Sequence, residues 1–153
     1  MKLLKRTKRG WQYLLEETEF KLLGVLVNRF PFDDPGPAKI SKTDTGPEAK
    51  EREKLLKESL AEHRQELKKM AGELLAPEKF QRKGNGLVMK ISSEERETLL
   101  QILNDIRVGC WHVLGQPEEL EPESDKLSAQ ELTNYSLMNI AGYFEHSLVV
   151  TEE

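Results

Sequence analysis

Apolar residues recur along the chain at two spacings, and each change of spacing marks a boundary. In "KLLKRTKRGWQYLLEE" two short runs containing Leu, Trp and Tyr flank "TKRG", whose Gly10 can take the positive backbone angle of a tight loop. A β-hairpin is predicted there. From Thr18 the spacing lengthens to three and four. Phe20, Leu23 and Val27 form one stripe of a helix, and Leu22, Val25 and Leu26 occupy the rest of its circumference. A helix apolar on nearly every side is expected to be buried. The pattern breaks in "PFDDPGPAKISKTDTGPEAK", where four prolines and two glycines remove amide donors and restrict their predecessors. Residues 31–47 are therefore expected to be a flexible proline-rich loop.

From Glu48 to Ala76 a charged helix is predicted, with Leu56, Leu60, His63, Leu67, Met70 and Leu74 as a narrow stripe. That width suits a helix lying on the surface of the body. Pro77 stops it, and "KFQRKGNGLVMKI" reads as a second hairpin turned by "GNG". Ser92 stands three residues before Glu95, the capping-box spacing that opens a helix ending at Gly115 and Pro117. An acidic loop over 116–127 follows. Ser128 and Glu131 repeat the capping box for a last helix to about Leu148, with Leu127 and Leu132 placed for a hydrophobic staple. The elements predict an α+β fold in one domain, 1–153: four helices around one core, with two short β-hairpins forming a small antiparallel sheet.

Composition adds limits to this picture. With 37% hydrophobic and 33% charged residues among 153, the chain suits helices with well-solvated outer faces. A formal net charge of -4 opposes nonspecific nucleic-acid binding by the chain as a whole. Cys110 is the only cysteine, so an internal disulfide is excluded and a reducing, cytoplasmic setting is expected. The basic start lacks the apolar run of a signal peptide, and no stretch approaches the roughly 18 apolar residues of a membrane span.

Candidate chemistry concentrates in "LNDIRVGCWHVLG", residues 103–115, which holds Asp105, Arg107, Cys110, Trp111 and His112. At 100° per residue, Leu103, Ile106, Cys110 and Val113 fall within about 40° of Leu99, while Asp105 and His112 lie roughly 120° to 140° away. Cys110 then points into the core, away from His112, and no thiol and base dyad forms. Asp105 and His112 share a side but stand about 10 Å apart along the axis. A second stripe, Leu100, Asn104, Val108 and Trp111, occupies the side an amphipathic helix leaves wet. Either a second layer of this chain covers it, the favoured reading, or a partner subunit does. Arg107, four residues before Trp111, is placed to lay its guanidinium on the indole.

"ISSEERETLLQILNDIRVGCWHVLG", between a strand and an acidic loop with a final amphipathic helix, resembles the uncharacterised bacterial family catalogued as domain of unknown function number two thousand and seventeen. The likeness centres on "LNDIR", Leu103 to Arg107, with an echo in the opening hairpin and "ETEFKLLGVL", and covers about half the chain. It implies no activity. Some members are encoded beside an adaptor of the Clp protease system, which implies a link to regulated proteolysis. The 31–47 loop and the long charged helix depart from the family pattern.

Other constellations are weaker. His63, His112 and His146 come from separate helices without the spacing of a zinc site, and read as satisfied or solvent-facing imidazoles. The glycines of "RKGNGLV" lack a Walker or dinucleotide context, and no cofactor is expected. Lys5, Arg6, Lys8 and Arg9, with Lys2, form a basic patch beside Trp11 and Tyr13, and Arg82, Lys83 and Lys90 belong to the other hairpin. The patch suits either a guarded sheet edge or a nucleic-acid backbone with stacking aromatics. On the last helix Leu137, Ile140, Ala141, Phe144 and Leu148 form the core stripe, and Tyr135, Asn139, Tyr143 and His146 line the opposite side as a candidate protein contact. The leading functional expectation is a non-catalytic interaction or structural module, possible homodimer included, using Trp111 and Arg107 or the tyrosine face. The alternative is a nucleic-acid-associated regulator using the basic hairpin.

Overall fold

The computed structural model describes residues 1–32, 46–118 and 124–150. Most of the proline-rich loop, 33–45, and part of the acidic loop, 119–123, lie outside the described residues. The elements are β1 (Lys2–Thr7), β2 (Gly10–Glu16), α1 (Glu17–Asn28), α2 (Pro47–Leu74), β3 (Phe80–Lys83), β4 (Gly86–Ile91), α3 (Ser93–Val113) and α4 (Ala129–Val149). Short 3-10 turns occupy Pro77–Lys79 and Ser124–Lys126. The fold is α+β, as the periodicities predict. No described helix is long and apolar enough to cross a membrane.

Local chemistry explains the helix starts. α1, α3 and α4 each open with a reciprocal capping box, Glu16 with Glu19, Ser92 with Glu95 and Ser128 with Glu131. In α3 the Ser92 hydroxyl accepts from the Glu95 amide at 3.0 Å, and the Glu95 carboxylate accepts from the Ser92 amide at 2.8 Å. α2 starts at Pro47, whose missing N–H is no loss in a first turn.

The two hairpins merge into one antiparallel sheet of order β1-β2-β4-β3. Gly10 enters β2 at φ +150°, and a Cβ there would collide with the Ile91 carbonyl, so the β2–β4 pairing needs glycine at this point. Opposed pairs share a face. Trp11 with Ile91 and Tyr13 with Met89 therefore turn one side of the sheet toward the helices, and all four are buried. Gln12 with Lys90 and Leu14 with Val88 form the outer side. β1 is an edge strand whose register shifts between Leu3 and Lys5 and whose lysines face solvent, both of which discourage edge-to-edge pairing.

α3 packs most extensively on α4 and also meets α2, α1 and the two central strands. Its buried residues include Leu99, Leu103, Ile106 and Cys110, on the predicted stripe, and Ile102, which widens the stripe on one side. Three expectations need correction. α1 is not buried on every side, because Val25 is 51% exposed while Leu23, Leu26 and Val27 are covered. Val113 is 43% exposed, since it ends α3 beyond the packed region. Leu132 is 45% exposed, so of the proposed staple only Leu127 packs against the core. α2 is a surface helix whose second half docks through Leu67, Ala71 and Leu74, while Leu56 and Leu60 remain exposed.

A buried-side hub went unsuspected in the sequence. The Arg96 guanidinium, one turn into α3, donates from Nε and Nη2 to the Leu148 carbonyl at 3.0 and 2.5 Å and from Nε to the Tyr13 hydroxyl at 3.2 Å. It also lies 4.3 Å from the Trp11 ring centre, and the Arg6 guanidinium lies 4.7 Å from the same ring. One cation thus closes the C-terminal end of α4 onto β2. Arg96→Lys keeps the charge but loses the fork and the ring stack, and should cost about 1–3 kcal/mol. Thermal unfolding is expected to show a Tm lower by roughly 3–8 °C; an unchanged Tm would show that the hub carries no stability.

Candidate functional site

The second stripe of α3 does not end in open solvent. Beside α4 it leaves a groove of about 370 Å³ lined by Arg107, Val108, Trp111, Met138, Asn139 and Gly142. Its formation is local. Gly142 has no side chain to fill the gap, so the nearest atom to a Cβ placed there is Arg107 Cδ at 3.9 Å. Val108 and half-buried Trp111 supply an apolar wall from α3, Met138 supplies one from α4, and Arg107 and Asn139 stand exposed at the rim. The favoured intramolecular sandwich is thus half realised: Leu100 packs against the core, and Val108 is 38% exposed.

Arg107 does not stack on Trp111 as its spacing suggested. Its Nη1 reaches Glu145 Oε2 at 3.6 Å across the α3–α4 seam, while Trp111 Nε1 donates to the Pro117 carbonyl at 3.1 Å. A carboxylate on the neighbouring helix outcompetes a ring on the same one. Glu145 Oε1 is buried and accepts no hydrogen bond. Burial pushes the Glu145 carboxyl above its ordinary range, and Arg107 pulls it only part of the way back.

The tyrosine face divides. Tyr135 is 8% exposed and belongs to the core, which corrects its placement on the outward side. It stands at the margin of the buried arc of α4, which also takes in Asn134 and Met138. Asn139, Tyr143 and His146 are exposed. Tyr143 is not free, because its hydroxyl donates to Glu19 Oε2 at 2.6 Å, and Glu19 also holds the Met1 amine. That bond to a carboxylate raises the Tyr143 pKa. Burial acts to raise the Glu19 carboxyl, but hydrogen bonds from the Glu16 amide, the amine and the Tyr143 hydroxyl outweigh it, and the net shift is downward.

In residues 103–115, Cys110 is fully buried, with Sγ 4.0 Å from Asn134 Oδ1. Burial pushes the thiol up to about 11, against a small opposing pull from the Arg29 charge. His112 faces solvent, with Nδ1 2.9 Å from Gln116 Nε2, and His63 and His146 are exposed on their own helices. Asp105 finds partners the sequence did not suggest. It accepts from Arg64 Nη2 at 2.9 Å and from the Phe32 amide at 3.2 Å, tying α2 and the chain after α1 to α3. Among the described residues no group of three or more His, Cys, Asp or Glu is placed to hold a metal ion.

Of the basic hairpin, Lys5, Arg6, Lys8 and Arg9 are exposed, but Arg6 is engaged with Trp11. Trp11 and Tyr13 cannot stack on a base. They are 6% and 0% exposed, on the helix-facing side, because strand alternation assigns both to the core. No family model, curated protein or solved structure matches this chain.

Two measurements check this geometry. Cys110 should resist alkylation in the native protein and react only as the chain unfolds, because a thiol with its pKa near 11 carries almost no thiolate at neutral pH; rapid native labelling would contradict the packing. A carboxyl with a raised folded pKa, such as Glu145, stabilises the fold in its protonated form, and that stability is lost as pH rises through the folded value. Glu145→Gln mimics the protonated form, so it should raise Tm at pH 7 by roughly 1–3 °C and converge on the wild type near pH 4. A lower Tm at pH 7 would mean that the ion pair with Arg107 is net favourable.

Proposed function

We propose that this protein is a non-catalytic interaction module whose α3–α4 groove receives an apolar anchor side chain from a protein partner, a second copy of the chain being the first to test. The groove carries this reading. It joins an indole, a valine and a methionine as apolar wall with an arginine and an asparagine as polar rim, the composition of a surface that accepts one buried anchor. Its volume of about 370 Å³ lies at the small end of ligand sites, enough for one large side chain.

The buried, high-pKa Cys110 and the outward His112 support the non-catalytic part, since a nucleophile needs an accessible thiolate or a base within reach. A lone covered thiol also fits a reducing, cytoplasmic setting. The family resemblance makes regulated proteolysis the first context in which to look for a partner.

Gly142→Leu fills the groove from a position with open space and replaces a poor helix former with a good one, so the fold should hold. Light scattering over about 1–100 µM, with affinity capture from extract, should show self-association or partner capture weakened at least about tenfold in this variant and in Trp111→Ala. A wild type that stays monomeric while both variants capture the same proteins as it does would remove the basis of the reading.

A further inference from the structure

The outer side of the sheet, which faces away from the helices, carries a charge unlike the rest of the molecule. Lys5 is opposed to Gln12, Gln12 to Lys90 and Lys2 to Leu14, so alternation sends all three lysines to this side, with Lys83 joining them from β3. Lys8, Arg9 and Arg82 stand exposed at its margins. Glu16 is the one acid in residues 1–16 and 80–91, and it is engaged in capping α1. In a chain of net charge -4, this face is a pole of opposite sign.

Two shallow depressions cross it. One, of about 230 Å³, is lined by Leu4, Gln81, Arg82, Lys83 and Val88 together with Gln12 and Lys90. The other, of about 220 Å³, lies at the turn end beside Thr7 and Arg9 and is also lined by Gln12 and Lys90. Because they share these two residues, they form one track along β4, with Arg9 at one end, Lys90 next to that end of the strand and Lys83 at the other end, opposite Gly86. Six strand residues make the track roughly 20 Å long.

We propose that this track binds the sugar–phosphate backbone of a single-stranded nucleic acid. Cations in succession along a narrow path, whose one acid, Glu16 opposite Gly86 at the Lys83 end, is engaged at the start of α1, complement a linear polyanion; a protein partner would present charges of both signs. The four-stranded sheet is only about 15 Å across, which suits one flexible strand better than a rigid duplex. Gln12 and Gln81 offer amides to phosphate or sugar oxygens, and the aliphatic floor of Leu4, Leu14 and Val88 has no ring for a base. Binding is therefore tolerant of sequence. The site is separate from the α3–α4 groove, and either can fail alone.

The test uses the full chain and a labelled single strand of about 16 nucleotides, read by fluorescence anisotropy. Arg9→Gln/Lys83→Gln/Lys90→Gln, all exposed positions, should weaken binding at least about tenfold, while the equal charge change Lys54→Gln/Lys57→Gln/Lys68→Gln on α2 should weaken it less than about threefold. Four phosphate contacts give a loss of about 50-fold between about 50 and 200 mM salt. The proposal falls if nothing binds at the lower salt or if both triple variants lose affinity alike. It also falls if a duplex of the same sequence, or poly-glutamate of matched length, binds more tightly than the single strand.

Discussion

The buried face of α3 runs through Thr98, Leu99, Ile102, Leu103, Ile106, Gly109 and Cys110, an arc of about 140° on a helix wheel, and a single neighbour is too narrow to cover it. A helix contact covers a stripe nearer 100° wide. α4 takes one side of the arc with Leu137, Ala141, Phe144 and Leu148, the sheet takes another with Tyr13 and Met89, and α2 closes on it through Leu67, Ala71 and Leu74. The order of layers follows from this need. Small residues at the contact decide how close each layer comes: a Cβ at Gly109 would overlap the Phe32 ring, so the chain leaving α1 can lie flat on α3. The Phe32 amide then reaches Asp105, and Arg64 of α2 binds the same carboxylate.

The wide arc on one side leaves the other side of α3 incompletely dressed, and there α4 has a glycine where a larger residue would finish the packing. The groove at Gly142 is therefore a consequence of how the core is covered, and its α3 wall, Val108 with the half-buried Trp111, is the part of that helix the layers leave incompletely covered. The sheet has the same asymmetry in another form. Its inner side is aromatic and aliphatic and holds Arg96 against Trp11, while its outer side carries the lysines. Apart from Glu16 at the end of β2, acidic residues are left to the helices and loops, so the molecule is polar at the level of layers although its net charge is small.

Much of this was legible in advance wherever the signal is local. The capping boxes at Ser92 and Ser128 mark the starts of α3 and α4, "TKRG" and "GNG" mark the turns, and the inward direction of Cys110 follows from helical period alone. Features that depend on a distant element carry no local signal. Tyr135 lies on the polar side of its own wheel yet is buried, and Val25, apolar by nature, is left half exposed among the described residues. Arg107 had Trp111 within reach on its own helix, but Glu145 on the next helix offers a full opposite charge. The aromatics of the first hairpin looked available to a ligand until strand alternation and the helix layer assigned them to the core.

Periodicity, caps and turn residues act over a few positions, so the order of residues alone settles which segments become helix or strand and which side of each is apolar. Which apolar sides meet, and what is left over once they have met, depends on contacts between residues far apart in the chain. Arg96 reaches a carbonyl 52 positions away, and Asp105 gathers a guanidinium and an amide from two other segments. The α3–α4 groove and the basic track belong to the same class. Each is a surface that exists only because separate elements come to rest beside one another, and packing, which is not a property of any one segment, places them there.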